Sequence, residues 1–267
     1  MLSPHVTLGD GCRLAYRLDG PEGAPVLVLS NSLGTHLQMW APQIDAFAGL
    51  FRVLRYDSRG HGASDAPPGA YSLDRLGRDV VELLDALRLG RVHFCGLSKG
   101  GMVGQWLGMR APERIGRLVL ANTAAYMGPP SGWQQRIETV LRDGMHAITE
   151  AVLERWFTPQ FRASAPGRVA AVRDMLLTTA PAGYAGCCAA IRDMDLRVTA
   201  PLVAVPTLLI AGARDPSTPP ATAQELARLL PERPRVVTLD AAHLSNVEQP
   251  DAFNRAVLDF LDPRPPV

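Results

Sequence analysis

The stretch Val92-His93-Phe94-Cys95-Gly96-Leu97-Ser98-Lys99-Gly100-Gly101 (VHFCGLSKGG) decides how the rest of the chain is read. Val92 to Cys95 form a short apolar run, Gly96 to Gly100 a tight turn centred on Ser98, and Met102 to Arg110 an amphipathic segment. The expected order is strand, sharp turn, helix. A serine with glycine two residues before and two after matches the nucleophile elbow, where a strained backbone pushes the hydroxyl out of the turn. A side chain at Gly96 or Gly100 would keep strand and helix apart. The bare pattern also occurs in packing turns, so its meaning depends on what the other strand ends carry.

Upstream, His5 to Leu8 and Cys12 to Leu18 alternate around an Asp10-Gly11 turn and predict an antiparallel hairpin. Val26 to Leu29 and Arg52 to Tyr56 are apolar runs of the kind buried on both sheet faces, followed by the polar loops Ser30 to Thr35 and Asp57 to Gly62. Leu76, Val80, Leu83, Leu84 and Leu87 mark one face of a helix over Leu73 to Leu87. Downstream, Leu118 to Leu120, Thr207 to Ala211 and Val236 to Leu239 read as strands, with helices over Ala221 to Leu230 and Phe253 to Leu261. Alternating strand and helix predicts an α/β fold with a mostly parallel sheet and helices on both faces. Between about Tyr126 and Asp195 the strand signal vanishes and helical spacing takes over, with Ser131 expected to cap the first helix and Gly144 to end it. The organisation expected is a core of residues 1–125 and 196–267, interrupted by a helical lid of residues 126–195. The proline-rich tail from Pro263 to Val267 is expected to fray.

Net charge is +1, with 27 Lys and Arg against 26 Asp and Glu, dispersed along the chain. That balance leaves no electrostatic footprint for nucleic acid or an anionic membrane surface. The first residues lack the pattern of a signal peptide, and the cytoplasm is the expected compartment. Cys12, Cys95, Cys187 and Cys188 fit neither a disulfide framework nor a zinc site, and no histidine has a partner at metal-ligand spacing.

Ser98, Asp215 and His243 each follow a predicted strand, in the order nucleophile, acid, base. A parallel sheet collects its strand ends at one edge. A hydroxyl attacks well only when an imidazole removes its proton, and the imidazolium then needs a carboxylate to orient and stabilise it. Asp240, in the loop that holds His243, is the alternative acid. His36 and His61 lie in loops at the same edge and are expected to order them by hydrogen bonding. The oxyanion donors expected are the backbone N–H groups of Lys99, directly after the serine, and Leu33, in the loop after the first buried strand.

The segments NSLGTHLQMWAPQ (31–43), YDSRGHGAS (56–64), CGLSKGGMVGQWL (95–107), LANTAA (120–125), RWFT (155–158) and AAHLSNVEQP (241–250) carry a resemblance that covers nearly the whole chain. The sequence resembles the α/β-hydrolase superfamily and, within it, the enol-lactonase family of the β-ketoadipate pathway. The resemblance implies a cofactor-free serine enzyme that opens 3-oxoadipate enol-lactone, a small lactone bearing a carboxylate, through an acyl-enzyme. It also implies a cation for that carboxylate, for which Arg136 and the Lys99 side chain are candidates, with Trp133 as a pocket wall. Lys99 stands where many relatives carry methionine or another apolar residue. Competing readings are a carboxylesterase, a carbon–carbon bond hydrolase or a perhydrolase of the same fold, and a non-catalytic small-ligand binder.

Overall fold

In the computed structural model, which describes residues 3–261, the apolar runs assemble into one eight-stranded sheet. Its strands are β1 (His5–Thr7), β2 (Arg13–Asp19), β3 (Val26–Ser30), β4 (Arg52–Tyr56), β5 (Val92–Leu97), β6 (Ile115–Ala121), β7 (Thr207–Gly212) and β8 (Val236–Leu239). Their spatial order is β1-β2-β4-β3-β5-β6-β7-β8. β1 and β2 form the expected hairpin, and β2 is antiparallel to β4, while every pair from β4 to β8 is parallel. Leu27, Val28, Leu29, Phe94 and Cys95 have no exposed surface, which explains the unbroken apolar runs of the central strands. The register pairs Ser30 with Gly96, Leu97 with Ala121, Ala121 with Ile210 and Gly212 with Leu239. The carboxyl ends of β3, β5, β6, β7 and β8 therefore meet along one edge.

The helices are α1 (Ile44–Ala48), α2 (Leu73–Ala86), α3 (Lys99–Arg110), α4 (Pro130–Asp143), α5 (His146–Trp156), α6 (Pro159–Ser164), α7 (Pro166–Thr178), α8 (Pro181–Asp193), α9 (Pro220–Leu229), α10 (Ser245–Glu248) and α11 (Pro250–Leu261). α3 starts at Lys99 rather than Met102, because the turn at Ser98 leads straight into helical backbone. Ser131 does not cap α4: Pro130 occupies the first turn, Pro129 stands at the cap, and no side chain caps the end. Proline suits a helix start because its fixed φ is already helical and its missing N–H would have no partner there. α6, α7, α8 and α9 also open on proline, which sets boundaries that apolar spacing misses. Gly144 ends α4 at φ 78°, as expected. α1, α6, α10 and the 3-10 segment Leu37–Gln43 are too short for periodicity to register. The tail from Pro263 lies outside the described residues.

α4 to α8 fall between β6 and β7. The two ends of this segment are joined by a bridge between Tyr126 and Asp195 and by the Leu196 N–H donating to the Ala125 carbonyl at 2.8 Å. Within it, α4 packs along α8 and α5 against α7. α8 also approaches the loop after β4, where a Cβ on Gly60 would stand 2.4 Å from the Gly183 Cα. Among the described residues no helix is long and apolar enough to cross a membrane.

Candidate active site

Ser98 sits between β5 and α3 at φ 56°, ψ −115°, a conformation that L residues rarely adopt. The flanking glycines make that turn possible. A Cβ on Gly96 would lie 2.1 Å from the Gly100 carbonyl oxygen, and one on Gly100 would lie 2.1 Å from that of Ser30. Anything larger would push strand and helix apart.

The Ser98 Oγ is 2.9 Å from His243 Nε2, and His243 Nδ1 is 2.7 Å from Asp215 Oδ2. If His243 Nδ1 carries its hydrogen toward the carboxylate, Nε2 is left to accept from the serine. Asp215 is buried and densely solvated by protein. Its Oδ1 accepts from the N–H groups of Ser217 and Thr218 at 2.8 and 3.0 Å. Its Oδ2 also accepts from the Thr218 hydroxyl at 2.6 Å and Asn122 Nδ2 at 3.0 Å. Burial pushes this carboxyl up, but the His243 charge and the hydrogen bonds of His243, Thr218 and Asn122 outweigh it and hold the group below its ordinary value. Asp240 instead pairs with Arg214 at the exposed surface, so the alternative acid is not at hand. Asn122 and Thr218 carry no sequence signal beyond their places at strand ends; Asn122 is held at φ 45° and also receives the Ser245 hydroxyl at 2.6 Å.

The expected oxyanion loop is pinned on both sides of Leu33. Asn31 spans from Trp40 Nε1, at 2.9 Å, to the Tyr56 carbonyl, at 2.8 Å, and its own carbonyl accepts from the Gly100 N–H. The Gly34 N–H donates to His61 Nε2 at 2.8 Å. His61 is thus an acceptor at Nε2, and burial followed by the Lys99 charge pushes its protonation well below the ordinary range. His36 Nδ1 accepts from the Gln38 N–H and caps the 3-10 segment. Both histidines order loops, as expected. The Leu33 N–H has no acceptor among the described residues, and that of Lys99, first in α3, has no intrahelical one.

Ser98 and His243 open into a cavity of about 210 Å³ whose lining includes Leu33, Met127, Trp133, Arg136, Arg155, Trp156 and Tyr184. Trp133 and Arg136 therefore both face the cavity, with the guanidinium 5.0 Å above the indole. Arg155 was missed, because an arginine on a helix reads as a solvated one. Neither arginine makes an ion pair among the described residues, and burial, then the neighbouring Arg136 charge, pushes Arg155 below its ordinary value. The Lys99 side chain is not in this cavity: it is 1% exposed, with Nζ 4.0 Å from Cys187 Sγ on α8. Its candidacy for the substrate carboxylate is corrected accordingly, since the first residue of α3 points its side chain into the core beneath the elbow.

A parallel sheet whose carboxyl edge presents a strained serine backed by histidine and aspartate defines a class. The chain belongs to the α/β-hydrolase family, whose model, described as alpha/beta hydrolase fold, matches residues 25–250. It is 44% identical to 3-oxoadipate enol-lactonase 2 of Acinetobacter baylyi, over 91% of each chain. Among solved structures it is similar to the enol-lactonase from Burkholderia xenovorans LB400, at 47% identity and a TM-score of 0.94, covering 97% of this chain and 99% of the other. A hydrolase from Pseudomonas aeruginosa is similar too, at 51% identity and a TM-score of 0.94 over 97% and 98% of the two chains.

Proposed function

We propose that this protein is a 3-oxoadipate enol-lactonase: a serine hydrolase that opens the lactone to 3-oxoadipate in aromatic catabolism. The observation that carries the reading is the hydrogen-bonded series Ser98, His243, Asp215 at the floor of a cavity walled by two arginines that lack carboxylate partners. His243 Nε2 takes the Ser98 proton as Oγ attacks the lactone carbonyl, and the Leu33 and Lys99 N–H groups receive the charge that develops on its oxygen. Collapse breaks the ring C–O bond. His243 returns the proton to the departing enol, which becomes the ketone, so the leaving group is a good one. Water activated by His243 then releases the acid from Ser98. No step calls for a cofactor.

The substrate keeps a carboxylate throughout, and Arg136 and Arg155 hold it, with Trp133 covering the ring. Two like charges in a half-buried pocket favour an anion between them. The insertion of α4 to α8 acts as the cover that brings these groups over the serine. The cytoplasm is the proposed compartment, which suits four cysteines that are all free. The test is loss of the enol-lactone's ultraviolet absorbance with purified protein, beside p-nitrophenyl esters. Rapid lactone opening that Ser98→Ala reduces by about 10⁵-fold or more is the expected result. Fast ester turnover without lactone opening overturns the substrate, and retained activity in Ser98→Ala overturns the nucleophile.

A further inference from the structure

Glu248 is 8% exposed, lies at the end of α10, and makes no ion pair among the described residues. A buried carboxylate without a cation is costly unless donors surround it. Here they come from two separate parts of the fold. On the catalytic side, Oε2 accepts from the Ala242 N–H, the residue directly before His243, at 3.0 Å. On the side of the helical insertion, the Thr158 hydroxyl donates to Oε1 and the Thr158 N–H approaches Oε2 at 3.4 Å. Thr158 caps α6, its Oγ1 accepting from the Phe161 N–H at 3.2 Å. Two further contacts follow the same seam. The Leu244 N–H donates to the Trp156 carbonyl at 3.1 Å, and the Trp156 ring stacks on the His243 imidazole at 6.3 Å and 28°. The residues on both sides of His243 are thus fastened to the α5–α6 junction, and one carboxylate closes the clasp.

We infer that Glu248 is a positioning residue for His243, clamping the histidine loop to the helical insertion so that the imidazole keeps its place between Ser98 and Asp215. The inference rests on the reading of Ser98 and His243 as nucleophile and base. Glu248 does not line the cavity, so substrate binding does not depend on it directly. The imidazole does depend on it, and proton transfer is sensitive to displacements well under an ångström. The clamp is made of hydrogen bonds to a carbonyl-type oxygen. Glutamine, with its oxygen in the place of Oε2, keeps the acceptor for both N–H groups.

The experiment is steady-state kinetics of the full chain on 3-oxoadipate enol-lactone, with Glu248→Ala, Glu248→Gln, Thr158→Val and Ser98→Ala compared. Glu248→Ala is expected to lower kcat by about 10- to 100-fold with KM within about threefold of the parent. Glu248→Gln recovers most of that loss, and Thr158→Val, which removes the hydroxyl that reaches Glu248 together with its cap on α6, lowers kcat by about 3- to 10-fold at unchanged KM. A folded Glu248→Ala with the parent kcat overturns the inference, as does a loss carried by KM. Should Glu248→Ala not fold, a folded Thr158→Val with the parent kcat overturns it equally. An active Ser98→Ala brings down the underlying reading instead, so the two failures are told apart.

Discussion

The floor and the wall of the cavity are built in opposite ways. The floor is backbone-defined: Ser98 is fixed by its own turn, Asp215 by five donors, and His243 by its aspartate and its loop. The wall comes from helices, where Arg136 and Arg155 project from α4 and α5 with no protein anion to hold them. Ser98, Asp215 and His243 thus sit on the rigid sheet edge, while the charged side chains that face them across the cavity come from a segment inserted between strands.

The largest effect is expected at the floor. Asp215→Asn is expected to lower kcat by about 10⁴-fold, because the imidazole loses both its orienting acceptor and the charge that stabilises its protonated form. Asp240→Asn, which removes only a surface ion pair with Arg214, should stay within about twofold of the parent in the same assay. Equal losses in the two variants would mean that the floor is not organised around Asp215.

At the wall the expected effect is smaller and of another kind. Arg136→Met and Arg155→Met should each raise KM for the lactone by about 10- to 100-fold, with a much smaller fall in kcat, and leave a neutral ester's kcat/KM nearly untouched. Parallel losses on lactone and neutral ester would show that these side chains shape the pocket and do not read charge.

Beneath the floor, at Lys99, the expected effect is on stability and not on turnover. Burial pushes its ammonium below the ordinary value of 10.5, against the pull of Cys187, Asp79 and Asp57. The folded protein therefore binds this proton more weakly than the unfolded chain. Over the range between the two values the unfolded state holds more protons, so stability rises with pH. Below that range both states are charged and the full penalty is present. Lys99→Met should accordingly gain about 1–4 kcal/mol in denaturant unfolding at neutral pH. The gain should shrink as pH climbs toward 10.5. A variant less stable than the parent at pH 7 would show that Lys99 is well paired where it lies.

Much of the floor was legible in the chain, and particular residues show why. Gly96 is required by contacts within its own turn, and apolar patterning marks β3, β5 and α2, because these depend on neighbours in sequence; Gly100 fits the same local pattern although the atom it must clear, the Ser30 carbonyl oxygen, belongs to β3. Strand ends then place Ser98, Asp215 and His243 on one edge, since parallel strands of similar length must finish together. Asn122, Thr218 and Glu248 were not legible: Asn122 and Glu248 reach partners some 90 residues away, Thr218 sits in the same loop as its aspartate, and a polar residue in a loop looks the same whether it faces water or a carboxylate. Neither the burial of the Lys99 side chain nor the place of Arg155 on the cavity was legible either, as a charged side chain on a helix gives no sign of which way its helix is turned.

By itself, then, the sequence determined the α/β alternation, the elbow, and the order of nucleophile, acid and base, all of which follow from local backbone preference and strand topology. Only the tertiary structure decided between Asp215 and Asp240, turned Lys99 into the core, and brought Arg136 and Arg155 over the serine. Those outcomes depend on how helices pack across distances that no spacing rule encodes.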